Sequence, residues 1–144
     1  MREQIESRGM TIDEIMTLAS IIQLEAANEQ DMYVISSILQ NRLRDGAQRD
    51  IYTLDCDSTY YYPYHDADDV PADIKDTFAS TYNTYNIQGL PPGPVCNPGL
   101  DAIMAAINPD DTNYYYFCHD ADGTPYYAET AAGHQANLER AGLA

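Results

Sequence analysis

Six residues, Gly89-Leu-Pro-Pro-Gly-Pro94, hold three prolines and two glycines. Each proline fixes φ and removes a backbone donor, so this stretch can be neither helix interior nor central strand. It is a rigid loop, and the other elements must arrange themselves around it. Upstream, Thr11-Ile-Asp-Glu14 reads as a capping box, with Thr11 as N-cap and Glu14 reaching back to it. Ile12, Ile15, Met16, Ala19 and Ile22 then recur at helical spacing and predict a helix to about Leu24 or Ala26. Asn28-Glu-Gln-Asp31 restarts a helix, carried by Val34, Ile35, Ile38, Leu39 and Leu43 and stopped by Asp45-Gly46. Residues 47–88 lack clear periodicity and read as loop with short elements. Beyond the prolines, Asn97-Pro98 supplies an N-cap with proline in the first turn. Leu100, Ile103, Met104 and Ile107 stripe that helix, and Asn108-Pro109 ends it. Asn113–Cys118 and Pro125–Ala128 predict two strands around Asp120-Ala-Asp-Gly123, and a last helix covers Thr130 to Ala141. The order of elements predicts an α+β fold, one compact domain of several helices packed with a small antiparallel sheet. Residues 1–10 are expected as an N-terminal extension and 11–144 as the domain.

The charge balance narrows the partners. With 23 acidic and 7 basic residues the net charge is −16, which repels phosphate backbones and anionic headgroups and argues against nucleic-acid or charge-driven membrane binding. No run of about 18 apolar residues exists, so the sequence predicts no membrane contact of its own. Met1–Met10 lacks the apolar core of a signal peptide, which reads as either a cytoplasmic protein or a soluble piece of something longer. Cys56, Cys96 and Cys118 fit no close-spaced zinc pattern; they read as small, mostly buried residues, with room for one disulfide at most. Thirteen tyrosines and no tryptophan leave tyrosine as the residue for stacking on a sugar ring, although it also packs well in sheets.

Several chemistries find no support. His65, His119 and His134 have no motif tying them to a serine or cysteine nucleophile. Lys75 is the sole lysine and lies between Asp73 and Asp76, which makes it a poor Schiff-base amine and argues against pyridoxal phosphate. No cofactor is expected. His65-Asp-Ala-Asp-Asp69 reads as a solvated loop, and Asp120-Ala-Asp-Gly123, lacking a third carboxylate and a distal glutamate, as a hairpin turn. No metal site is expected at either.

Carboxylates remain, and Glu25 stands apart. It closes the apolar run Leu18-Ala-Ser-Ile-Ile-Gln-Leu24, and at about 100° per residue it lies on the flank of the Ile15, Leu18 and Ile22 stripe. A carboxyl held there loses hydration of its charged form and keeps its proton to higher pH. A glycosidic general acid needs that property. Spacing alone leaves an ordinary solvated helix-end glutamate as the other reading.

Three blocks resemble the YceG-like (MltG) family of endolytic murein transglycosylases. Leu18-Ala-Ser-Ile-Ile-Gln-Leu-Glu25, followed by Asn41-Arg42-Leu43, is similar to the family's LASI(V/I)EKE and NRL. Leu54-Asp-Cys-Asp-Ser-Thr59 is similar to LQ(T/S)DPT. Tyr82-Asn-Thr-Tyr85, Gly89–Pro94 and Asn97-Pro-Gly99 match YNTY, GLPPGP and NPG. Weaker likenesses are Ala106-Ile-Asn-Pro109 and Tyr114-Tyr-Tyr-Phe117. The resemblance implies a lysozyme-like active-site glutamate at Glu25, with Gln23 where the family has another glutamate. It implies substrate contacts from Asn41, Asp57, Thr59, Tyr82, Asn83, Tyr85, Pro92 and Asn97. Of these, the tyrosines suit ring faces, and Asn83 and Asn97 suit sugar or acetamido groups. Asn97 has a second reading as a helix cap alone.

The implied reaction is lytic cleavage of the bond between N-acetylmuramic acid and N-acetylglucosamine, closing a 1,6-anhydro ring. A hydrolytic variant would draw on Asp57, and a module that binds peptidoglycan without cutting it is the alternative of another class. The implied setting is the cell envelope, at the outer face of the cytoplasmic membrane, near the wall-synthesis machinery, as a fragment of an anchored protein. Three positions depart from the family pattern: Asp55 for glutamine, Ser58 for proline, and Pro125 for the histidine of a GGH turn.

Overall fold

Helix α2 (Ile12–Glu25) forms where the capping box places it: Thr11 Oγ1 accepts the Glu14 amide at 3.1 Å, and Glu14 Oε1 accepts the Thr11 amide at 3.0 Å. Ile15, Leu18, Ala19, Ile21 and Ile22 are all essentially buried, so this helix is enclosed on most sides rather than amphipathic. Its neighbours are α3 (Glu29–Asp45), which contributes Ile35 and Leu39, and α4 (Leu100–Ile107). From α4 it meets Ala102, Ala105 and Ala106, small residues that allow close approach. The computed structural model describes residues 2–144. The first ten residues contain α1 (Arg2–Ser7), whose Ile5 joins the same core. Among the described residues no helix is long and apolar enough to cross a membrane.

Past α3 the chain has only short 3₁₀ turns at Gly46–Arg49, Asp57–Thr59 and Ala67–Asp69 until α4. Side chains hold this region where ladders do not. Thr84 Oγ1 accepts the Cys56 amide at 2.8 Å and pairs with Thr59 Oγ1 at 2.8 Å, while Thr59 Oγ1 accepts the Thr84 amide at 2.9 Å. These two buried threonines bind the 57–59 turn to the 82–85 segment. Asp55, just before that turn, has φ of +55°, a left-handed conformation that Asp tolerates better than most residues.

Serine and glutamine on α2 then seat the proline loop. Ser20 Oγ accepts the Val95 amide at 3.0 Å, and Gln23 Oε1 accepts the Gly99 amide at 2.9 Å. This anchoring corrects one expectation. The N-cap of α4 is Gly99, not Asn97, because Gln23 fixes the helix start two residues later. The replaced family glutamate is therefore spent on holding α4 to α2.

The C-terminal part is a two-stranded antiparallel hairpin, β1 (Tyr116–His119) and β2 (Pro125–Ala128), followed by α5 (Ala131–Arg140). Regular pairing starts at Tyr116 rather than Asn113, although the Tyr115 amide already bonds Ala128 O at 2.9 Å. Asp120 shapes the turn by accepting the Asp122 and Thr124 amides, both at 2.9 Å. Among the described residues, five α-helices and this small sheet make the α+β arrangement expected.

The Thr84 clamp is testable. Thr84→Val keeps the volume but strands the buried Cys56 amide, and should cost about 1–3 kcal/mol in urea unfolding.

Candidate active site

Glu25 is the last residue of α2 and its carboxyl opens into a cavity of about 500 Å³. The opposite wall is the hairpin, through Tyr116, Phe117 and His119; a side wall is the 54–57 segment with Tyr85; Arg42 from α3 and His134 from α5 close the far end. The volume lies in the usual range for a ligand site.

Burial is the main reason the Glu25 pKa rises from 4.5 to about 7, with the nearby Asp57 charge adding to it. Partial relief comes from the Ser58 amide, 3.5 Å from Oε1, then from His119 and the Asp57 amide. The balance leaves a carboxyl that is protonated in about half the molecules at neutral pH, which a solvated helix-end glutamate would not be. Beside it, Tyr85 donates its hydroxyl to Asp57 Oδ1 at 2.5 Å. Burial, then Asp57, hold that phenol well above its ordinary pKa, so it stays a donor. Cys56, beneath the turn, is fully buried with its thiol pushed up by burial and by Glu25, which makes it an inert neighbour. No disulfide links it to Cys96 or Cys118; all three are free thiols.

Of the residues expected at the site, the fold brings together Glu25, Asp57 and Tyr85. Asn41 lies elsewhere, 5% exposed, its amide donating to Thr112 O and Tyr114 O at 2.9 Å each. Thr59 is consumed by the clamp with Thr84. Asn83 is buried and accepts the Tyr85 amide at 3.0 Å, which orients the tyrosine that does reach the cavity. Tyr82 packs its ring on Tyr62, centroids 4.4 Å apart, and its hydroxyl abuts Gly93 of the proline loop. Pro92 and Asn97 are exposed and do not line this cavity.

The structure adds residues that the sequence reading passed over. Arg42, the neighbour of Asn41 in its motif, is 8% exposed at the side chain, donates to Leu54 O at 2.8 Å and sits over the Tyr116 ring at 5.2 Å. His134 stacks on that ring, centroids 5.0 Å apart and planes 21° from parallel. His119 lines the cavity and bonds Asp31 through Nε2 at 2.7 Å. It pairs directly with Pro125 across the hairpin. An imidazole therefore stands on the same face as the missing family histidine would, one strand over. Period-two alternation along β1 was the available signal for these residues, but a four-residue strand carries little of it.

Among the described residues, His65, Asp66 and Asp69 could offer ligand atoms to a cation, all within 4.8 Å. They are exposed, and Asp66 Oδ1 already accepts the Asp68 and Asp69 amides at 2.9 and 3.3 Å. Lys75 is half exposed and 3.8 Å from Asp68, with no enclosed surroundings for an amine-bound cofactor.

A buried helix thus delivers one proton-holding carboxyl to a cleft walled in part by tyrosines. Comparison with known proteins agrees on its kinship: the YceG-like family matches residues 1–140, and the chain belongs to that family. It is 36% identical over 137 residues to a protein of Streptococcus pneumoniae named endolytic murein transglycosylase, covering 93% of this chain and 24% of that one. A Bacillus subtilis protein of the same name is 30% identical over 139 residues, covering 96% and 37%. The crystal structure of a YceG-like protein from Listeria monocytogenes superposes with a TM-score of 0.74 at 30% identity, covering 94% of this chain and 42% of that one. The chain thus spans about a quarter to two fifths of the length of these relatives.

The raised Glu25 pKa has a consequence for stability. A carboxyl whose folded pKa lies above its unfolded one stabilises the fold fully below pH 4.5, and that contribution is lost as pH rises through about 7. Glu25→Gln removes the penalty of an ionised, enclosed carboxylate. The variant should therefore gain on the wild type from pH 5 to pH 8.5 in urea unfolding, by up to about 3 kcal/mol.

Proposed function

We propose that this chain is the catalytic part of a lytic transglycosylase that cuts peptidoglycan glycan strands between N-acetylmuramic acid and N-acetylglucosamine. One observation carries the reading: Glu25 holds its proton to about pH 7 inside a cleft of ligand size. The names of the family relatives support the substrate class.

In this reaction protonated Glu25 donates to the glycosidic oxygen. Positive charge builds at the anomeric carbon as the bond breaks, and the Asp57 carboxylate, held by Tyr85, stabilises it from the side wall. Glu25, now a carboxylate, takes the proton from the muramic C6 hydroxyl, whose oxygen bonds the anomeric carbon and closes the 1,6-anhydro ring. One acid serves both steps. The setting that goes with this substrate is the cell envelope, at the outer face of the cytoplasmic membrane.

A second reading, hydrolysis, has an observation in its favour: Asp55 and Asp57 line the same cavity as Glu25 and give a water a base. The released products separate the two. Mass spectrometry of muropeptides from purified sacculi should find anhydro ends; reducing ends alone would replace lytic transfer by hydrolysis. Glu25→Gln should reduce release by about 10²–10⁴-fold or more. Release by that variant at the wild-type rate removes Glu25 from the chemistry, and absence of release by the wild type leaves a binding module. Wild-type activity should fall as pH rises through about 7, since the acid form is the one lost.

A further inference from the structure

Once Glu25 has given up its proton, its carboxylate stands in an enclosed cleft among groups that mostly repel it. Asp57 faces it from the 54–58 segment, and Cys56 and Tyr85 on that side are neutral donors or inert. The helix it terminates presents the negative end of its dipole. Across the cleft, Arg42 is committed to Leu54 O, with Asp55 3.8 Å away, and its guanidinium lies over Tyr116. His134, next to it on α5, is held toward its neutral form by burial and by Arg42. Against that repulsion stand the Ser58 and Asp57 amides and, among the side chains, His119 of β1.

His119 is fixed in place with unusual thoroughness for a residue lining a cleft. Its Nε2 donates to Asp31 Oδ2 at 2.7 Å. The Asp31 side chain is 1% exposed and also accepts the Tyr127 hydroxyl of β2 and the Ala27 amide, the latter at 2.8 Å. Ala27 lies two residues beyond Glu25. A single buried carboxylate thus ties the turn that carries the acid to both strands of the opposite wall. With Nε2 given to that carboxylate, Nδ1 is the nitrogen left for other partners.

We infer that His119, seated on Asp31, is a positioning residue for the reaction that stabilises the ionised form of Glu25. The inference rests on Glu25 being the acid of the proposed reaction, and it adds a side chain to the amides that make proton release tolerable. Too high a hold on the proton would stall the acid; burial and Asp57 push in that direction, and the Ser58 amide and His119 push back.

The test reads Glu25 directly, without substrate. In protein labelled with ¹³C at glutamate side-chain carboxyls, the Glu25 signal is assigned by its loss in Glu25→Gln and titrated in the wild type and in His119→Gln. Glutamine keeps an amide donor for Asp31, so the network and the fold should persist, checked by thermal unfolding. The Glu25 midpoint should rise in His119→Gln by about one unit, as loss of a group that favours the charged form requires. The alkaline limb of glycan release should move with it. Tyr127→Phe, which loosens Asp31 without touching the imidazole, should leave the midpoint in place.

An unchanged midpoint in His119→Gln, or an equal shift in Tyr127→Phe, overturns the inference. So does a uniform drop in release with the limb unmoved, since that is what a purely structural histidine would give. If the midpoint moves while Glu25→Gln still cuts glycan, the reading of Glu25 as acid fails and the pairing with His119 stands.

Discussion

A carboxyl at the C-terminal end of an enclosed helix occupies a poor place for a negative charge. Burial strips its hydration, the helix dipole points its negative end at it, and Asp57 adds a like charge. The group responds by holding its proton, and the chemistry available to the cleft follows from that. Such a position is tolerable only because α2 is strongly held by other means. Ile15, Leu18, Ile21 and Ile22 are each at most 1% exposed, and burial of each such side chain contributes roughly 1.5–3 kcal/mol. A helix anchored less deeply would fray at its last turn and let Glu25 into water.

Three clamps then bring otherwise irregular chain to that fixed point. Thr59 and Thr84 seat the 57–59 turn, whose amides face Glu25. Ser20 and Gln23, on the helix itself, seat the proline loop and the start of α4. Asp31 seats the hairpin. In each case a buried polar side chain does what a ladder of backbone bonds does elsewhere, and each leaves few polar atoms unpaired. The consequence is that the site is assembled from both ends of the chain, and the rigid prolines shape its surroundings without lining it.

This division explains what could be read in the sequence. Helices α2 and α3 were legible because a capping box and N-cap Asn28 fix their starts, and the apolar spacing between is regular. The hairpin was legible from its Asp-Gly turn. Glu25 was visible as the one acid closing an apolar run. The motif residues were less transparent, because a motif preserves scaffold and chemistry alike: Asn41, Thr59 and Asn83 prove to be spent on backbone groups, and of the expected substrate contacts only Asp57 and Tyr85 accompany Glu25 in the cavity. Asn97 missed its role as a cap because a contact 76 residues away, from Gln23 to Gly99, overrode the local signal. Arg42, His119 and His134 were hidden for a similar reason. Their meaning lies in which wall they join, and that is a tertiary fact.

The cleft also mixes acidic with basic side chains. Glu25, Asp55 and Asp57 line it together with Arg42, His119 and His134; Arg42 lies 3.8 Å from Asp55, and both Arg42 and His134 pack on the Tyr116 ring. Among the acids, environment separates the roles. Glu25 is enclosed and retains a proton, whereas Asp57 is exposed and receives a hydroxyl donor from Tyr85. Pairs of carboxyls placed in such unlike surroundings are how one site offers both an acid and a negative charge at the same pH. A cleft with that polarity suits a reaction in which a neutral bond accepts a proton on one atom and develops positive charge on the next. The asymmetry is lost if Glu25 moves into solvent, so the chemistry depends first on the packing of α2 and only then on the residues around it.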